Sequence, residues 1–226
     1  SLLDLEVVAN FAVKEKDTAE DPPYLSSSSS SSSRLSRKRL WFDVTEWGVV
    51  GDGIHDDTDS MRELLVGMPC NDCHKHIVIP KHAIVKTYPL NLTSHTTLQV
   101  DGILSAIPSM SHWPIIPPVP IYATSEDRNG GYLINMYQGF LYAQDATDIR
   151  ITGSGLIDGG GPYWWDLFDA RNLTGGGRPN LIQMVNCTHL EYDSVTLQDS
   201  PFWTVHPILS KDIHIHHLKI RAPLYA

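Results

Sequence analysis

Charge is scarce in this sequence. Only 19% of its 226 residues are charged, and they sum to −9 at pH 7, against roughly 25% charged in an average soluble protein. No basic excess exists to meet a phosphate backbone, which excludes nucleic acid as the main partner. No run approaches 18 uninterrupted apolar residues, so no membrane-spanning helix is expected. An early apolar run is broken by Asp4 and Glu6, and no signal peptide is visible. Because the chain opens at Ser1 without Met, a processed or incomplete chain is expected.

Cysteine is also scarce, at three. Cys70 and Cys73 form a C-x-x-C, open to a local disulfide, half a zinc site or a redox pair. Zinc needs a second pair, yet only Cys187 remains, with His74 and His76 nearby. A redox pair needs a βαβ context, which is missing. The expectation is a Cys70–Cys73 disulfide or plain thiols, with no metal and no cofactor.

What is present points to β structure. Hydrophobic residues make up 42%, enough for a core, and the 15 Pro and 16 Gly cut the chain into short pieces. Residues 1–40 stand apart: an unbroken serine run, Ser26 to Ser33, is followed by the basic stretch Arg34 to Arg39. Such a segment buries nothing, so 1–40 is expected to be a disordered tail and 41–226 the folded domain. One helix is expected, from Asp57 to Val66, capped by Asp57 or Thr58. The rest alternates in the manner of short strands.

Those strands repeat. Ile213, Ile215, Leu218 and Ile220 stand at offsets 0, 2, 5 and 7, and Leu190, Tyr192, Val195 and Leu197 give the same spacing 23 residues earlier. Ile149, Ile151, Ser154 and Leu156 give it 41 residues before that second set, and Leu98, Val100 and Ile103 begin it once more. A period near 23 with several tiny strands per unit is a solenoid signature, and the longer step implies an inserted loop of about 18 residues, from Gly159 to Arg178. The fold expected is all-β, a right-handed parallel β-helix with a short N-terminal capping helix. A β-sandwich also has short strands, but it does not require one constant phase.

The motifs also resemble a known family. Phe42-Asp43-Val44, Gly51-Asp52-Gly53 and Asp56-Asp57-Thr58 are similar to the capping segment of pectin-degrading β-helix enzymes. The strings Ile149 to Gly159 with Trp164-Trp165, Arg178-Pro179-Asn180-Leu181-Ile182, and Ser200-Pro201-Phe202-Trp203-Thr204-Val205-His206-Pro207 closely resemble polygalacturonases of glycoside hydrolase family 28. Asp199 departs from the Asn usual before Ser-Pro, Gly160 from a usual Gln, and His82 stands where a turn Gly is common. The four motifs that carry the family's chemistry, Asn-Thr-Asp, Gly-Asp-Asp, Gly-His-Gly and Arg-Ile-Lys, do not occur in this sequence. The resemblance places them beyond Ala226, so no catalytic residue is expected here.

The resemblance implies hydrolysis of α-1,4-galacturonosyl bonds in pectin by an inverting pair of carboxyl groups. It also implies a polysaccharide partner and a monomer at full length. Strand alternation puts Trp203 and Val205 inward and Thr204 and His206 outward. His206, Thr204, Arg178 and Trp164 are the expected substrate contacts. Rival readings are a noncatalytic carbohydrate-binding β-helix and a pectate-lyase-like enzyme, the latter needing a calcium site of clustered Asp that the sequence does not show. Three N-x-[ST] sequons, at Asn91, Asn172 and Asn186, lean toward a secreted, cell-wall glycoprotein. The 11 His would turn the charge balance slightly positive if all were protonated, so a weakly acidic setting matters.

Overall fold

In the computed structural model, residues 2–7, 37–68, 72–117, 135–174 and 176–223 are described, the first of these by backbone alone. They wind as a parallel β-helix. Each complete coil gives one strand to a four-stranded, a six-stranded and a seven-stranded sheet in turn. One coil runs Val205–Ile208, Lys211–His216, Leu218–Pro223. The coil before it runs Ile182–Val185, Thr188–Asp193, Thr196–Gln198, and the one before that Leu141–Gln144, Thr147–Thr152, Leu156–Asp158. Toward the N-terminus the six-stranded sheet continues through Thr96–Val100 and Cys73–Ile79 to Lys38–Asp43.

Alternation explains the stacking. In the six-stranded sheet Phe42, Ile77, Leu98, Ile151, Tyr192 and Ile215 stand in register, one per coil. All but Ile215 are buried, each worth about 1.5–3 kcal/mol over its exposed state. The expected phase holds between the last two coils, where Leu190 pairs with Ile213, Tyr192 with Ile215 and Leu197 with Ile220. Further back it slips. Ile157, not Leu156, pairs with Leu197, because the turn at Gly153 adds a residue. Thr96, not Leu98, is the partner of Ile149, since that interior position is polar. There Thr96 abuts the buried Lys75, whose Nζ donates to the Leu65 carbonyl.

The corners use left-handed backbone. Asp145, Asn186 and Leu209 have φ of 54°, 51° and 53° on leaving the four-stranded sheet. Asp and Asn tolerate this region better than most residues. Asp199, at φ 46°, is comfortable for the same reason. His82 does not adopt a positive φ, so the absence of Gly there costs nothing.

The helix forms over Thr58–Arg62 and continues through a wide π turn, Glu63–Gly67, burying Met61, Leu64 and Leu65 against the first coils. Its cap differs from expectation. The Asp57 carboxylate instead accepts from the backbone of Val50 and Gly51 at 2.8 and 3.0 Å, and Asp56 accepts from Thr58 N at 3.0 Å. The insertion carries a helix over Gly161–Asp169.

The 1–40 tail boundary does not hold at either end. Lys38–Asp43 is an edge strand of the six-stranded sheet. Leu2–Val7 pairs antiparallel with Leu218–Pro223, Leu2 opposite Pro223 and Val7 opposite Leu218. A strand edge carries a row of unpaired backbone groups, and a second strand satisfies them. Positions 8–36, including the serine run, lie outside the described residues. Cys73 is disulfide-bonded and Cys187 is free and buried; Cys70 lies outside the described residues. No described helix is long and apolar enough to cross a membrane.

Candidate substrate-facing surface

The four-stranded sheet turns one row of polar side chains outward. Asn91, Tyr142, Gln183 and His206 stand in register on successive strands, about 4.8 Å apart. Their neighbours Leu90, Leu141 and Ile182 point in and are fully buried. Val205 is packed against the core and His206 lies on the opposite side of its strand, but His206 is the more buried of the two, where the alternation sets it out toward solvent. The row is nevertheless partly covered. Gln183 is fully buried, its Oε1 accepting from Gly139 N at 3.0 Å, and Gln138 Nε2 donates to Asn91 Oδ1 at 2.8 Å.

His206 is 8% exposed. Asn180 holds it: the Asn180 Oδ1 accepts from Trp203 N at 3.2 Å, which turns its amide nitrogen toward His206 Nδ1 at 2.9 Å. An N–H donor facing Nδ1 requires a lone pair there, so the ring proton resides on Nε2. Burial lowers the imidazole pKa to about 4, leaving the ring neutral in all but strong acid.

A rim of rings adjoins this histidine. The Trp203 indole meets His206 edge-on with centroids 4.2 Å apart, and Phe202 stacks on Trp203 at 4.8 Å. The Arg178 guanidinium lies 4.4 Å above the Phe168 ring and 5.3 Å from that of Phe202. Phe168, Phe202 and Trp203 are 37%, 45% and 45% exposed. Trp203, assigned inward by alternation, precedes the strand and lies on the surface. Thr204 is half-buried beside it. A cation held between aromatic faces beside a neutral imidazole donor suits a sugar that carries a carboxylate: the rings meet its C–H faces and the guanidinium its anion.

Trp164 does not join them. It is fully buried among Trp113, Tyr137 and Tyr163, with centroids 5.0–5.5 Å away. The insertion needs an anchor on the solenoid, and its largest apolar side chain supplies one. Nearby, burial and the charge of Asp158 raise the pKa of the Asp199 carboxyl. Asn91, Asn172 and Asn186 are all exposed. Among the described residues, Glu191, Asp193 and His216 converge closely enough for one cation, but Arg150 Nε already donates to Asp193 at 2.8 Å.

Sequence reasoning missed Phe168, Phe202, Asn180, Tyr142 and Gln183. The last two were findable, since Gln183 lies 23 residues before His206 and Tyr142 41 before Gln183.

The family profile of glycosyl hydrolases family 28 matches residues 70–225. The chain belongs to this family. A probable polygalacturonase of Vitis vinifera is 37% identical over 186 residues, covering 80% of this chain and 37% of that protein. A polygalacturonase of Juniperus ashei is 26% identical, covering 85% and 37%. The chain thus spans little more than a third of the length of these two relatives. Among solved structures, the exopolygalacturonase of Thermotoga maritima superposes with a TM-score of 0.63 at 22% identity, over 79% of this chain and 46% of that one. The family 28 exopolygalacturonase of Yersinia enterocolitica gives 0.60 at 16%, over 80% and 37%. These likenesses carry the β-helix fold.

Proposed function

We propose that the protein is a polygalacturonase-type glycoside hydrolase acting on α-1,4-galacturonosyl bonds of pectin. The observation that carries the reading is the register row ending at His206, flanked by Arg178, Phe202 and Trp203, in a chain of family 28. In this reading the polymer passes the end of the four-stranded sheet, over the exposed rim of Phe168, Phe202 and Trp203 beside His206. Arg178 meets a uronate carboxylate, Trp203 and Phe202 the sugar faces, and Thr204 and the Nε2–H of His206 the hydroxyls. Inversion needs one carboxyl to protonate the leaving oxygen and another to activate water, about 6.5–9.5 Å apart. No residue of this sequence is assigned either role. The setting proposed is extracellular, at the cell wall, with glycans on exposed sequons and a monomeric protein.

NMR titration of the chain with a galacturonate oligomer tests the reading. Shifts are expected at the Trp203 indole N–H and the His206 ring, and none at Trp164. An acidic oligomer that leaves Trp203 and His206 both unmoved overturns it.

A further inference from the structure

The outer face of the six-stranded sheet carries most of the molecule's histidines. One row begins at Arg39, in register with His74, and continues with His95, Asp148, His189 and Asp212. His74 and His95 each place Nδ1 on the same Asp148 oxygen, at 3.2 and 2.9 Å, and His189 lies 3.6 Å from Asp212. The next row runs in register through Trp41, His76, Thr97, Arg150, Glu191 and His214. Beyond it Asp193 pairs in register with His216, and His216 Nε2 lies 3.3 Å from Glu191.

Two hollows follow these rows side by side, of about 240 and 430 Å³, sharing His76 and Arg150. Six strands at about 4.8 Å make the face about 24 Å long, the scale of a short oligosaccharide. At its edge the Trp41 ring stacks on His76, centroids 3.6 Å apart, while remaining 61% exposed. Arg37, Lys38 and Arg39, exposed and basic, lead into the same edge strand.

We propose that this face is a binding surface for an acidic polysaccharide chain, made cationic by its own histidines when the medium turns acidic. The charge count supports this occupant. At neutral pH Arg39 and Arg150 in the first hollow face Asp148, Glu191 and Asp212, a slight excess of acid that repels a polyanion. Protonation of His74, His76, His189 and His214 there reverses the sign. Asp148 cannot cancel two imidazolium groups. Burial raises its carboxyl pKa, but the hydrogen bonds and charges of His95 and His74 outweigh that and hold it low. Burial makes His76 the reluctant member, with its pKa lowered. In the neighbouring hollow Lys219 adds a permanent cation. The exposed indole supplies a ring face for a sugar, which a purely inorganic anion would not need. The choice of a uronate polymer as occupant rests on the proposed function; the face itself lies on a different sheet from His206.

The test is titration of the chain with a galacturonate oligomer at pH 5 and pH 7.5, read by NMR and calorimetry. It uses the wild type, a face variant (Arg39→Gln, His189→Gln, His214→Gln) and a rim variant (Arg178→Gln, Trp203→Ala). All but Arg178 among these residues are exposed, and unchanged circular dichroism and melting screen for misfolding. At pH 5 the wild type is expected to show two sites, with shifts at Trp41, His189 and His214 that vanish at pH 7.5. The face variant is expected to lose one site, its affinity there falling at least tenfold, while the rim variant keeps it. Shifts confined to Trp203 and His206 overturn the proposal and leave the proposed function standing. Shifts confined to the six-stranded face support the proposal and overturn the rim. Equal binding of a neutral oligosaccharide at the face, or no binding at all, overturns the proposal.

Discussion

The side-chain amide of Asn180 donates to Nδ1 of His206 at 2.9 Å, so the histidine cannot take a proton there without breaking the bond. Burial lowers its folded pKa to about 4, against an ordinary value near 6.5. The sign follows from the proton count. Between pH 6.5 and 4 the unfolded chain binds a proton at this ring that the folded chain refuses, so stability falls as the pH drops through that window. It is fully present above the window and loses nothing further below it. The loss from this group is roughly 3 kcal/mol. Melting of wild type and His206→Gln at pH 7 and pH 4 is the check. The variant should lose less stability over the interval, and parallel losses would show that His206 is protonated in the fold.

Trp164 and Trp203 make opposite forecasts from the same residue type. Trp164→Ala empties a fully buried site packed against Trp113, Tyr137 and Tyr163 and should cost about 3–5 kcal/mol. Trp164→Phe should be far milder, because the buried Nε1 of Trp164 has no hydrogen-bond partner to lose. Trp203→Ala, at a side chain 45% exposed, should move the melting point little and weaken acidic-oligomer binding at the rim. Chemical denaturation of the three variants separates these outcomes.

Much of this architecture was legible. Ile149, Leu190 and Ile213 announce the coil because they are apolar at every turn, and Val205 beside His206 fixes which side faces out. The earlier coils misled where the interior is polar, since Thr96 opposite Lys75 breaks an apolar count that assumes a greasy interior. The Gly153 turn hid behind Leu156, an apolar residue one place from the true interior residue Ile157. Trp164 was ambiguous because a tryptophan in a Gly-rich insertion reads alike as a platform or an anchor, and only its neighbours decide. Leu2–Val7 pairs across the whole chain with Leu218–Pro223, a contact with no local signal.

Lys75 is buried, and its Nζ donates to the carbonyl of Leu65, to which Thr93 Oγ1 also donates at 3.1 Å. Burial lowers its pKa. Lys75→Met keeps the stem's volume, removes the desolvated charge and leaves Leu65 its second donor, so it should cost under about 1 kcal/mol. Lys75→Ala removes the stem as well and should cost roughly 2 kcal/mol or more. A Met variant as damaging as the Ala variant would show that the ammonium is indispensable to the cap; thermal melts of the pair answer this.

Gly153 sits where the chain turns from the six-stranded to the seven-stranded sheet, at φ 123°. That value is open to glycine and strained for any L side chain. Space forbids one too, since a Cβ would lie 2.1 Å from the carbonyl oxygen of Val100 on the preceding coil. That oxygen is not free to retreat, because it accepts from Gly155 N at 2.8 Å. Gly153→Ala should therefore force the coils apart, costing at least about 2 kcal/mol from the backbone alone. By contrast, Gly177→Ala meets nothing within 4 Å and should be nearly neutral. Hydrogen exchange of Gly153→Ala should show the damage localised, with amides of Leu156–Asp158 and Ile103–Ala106 exchanging faster and those of Cys73–Ile79 unchanged. An alanine tolerated at position 153, with protection intact on both strands, would mean that the turn is built differently.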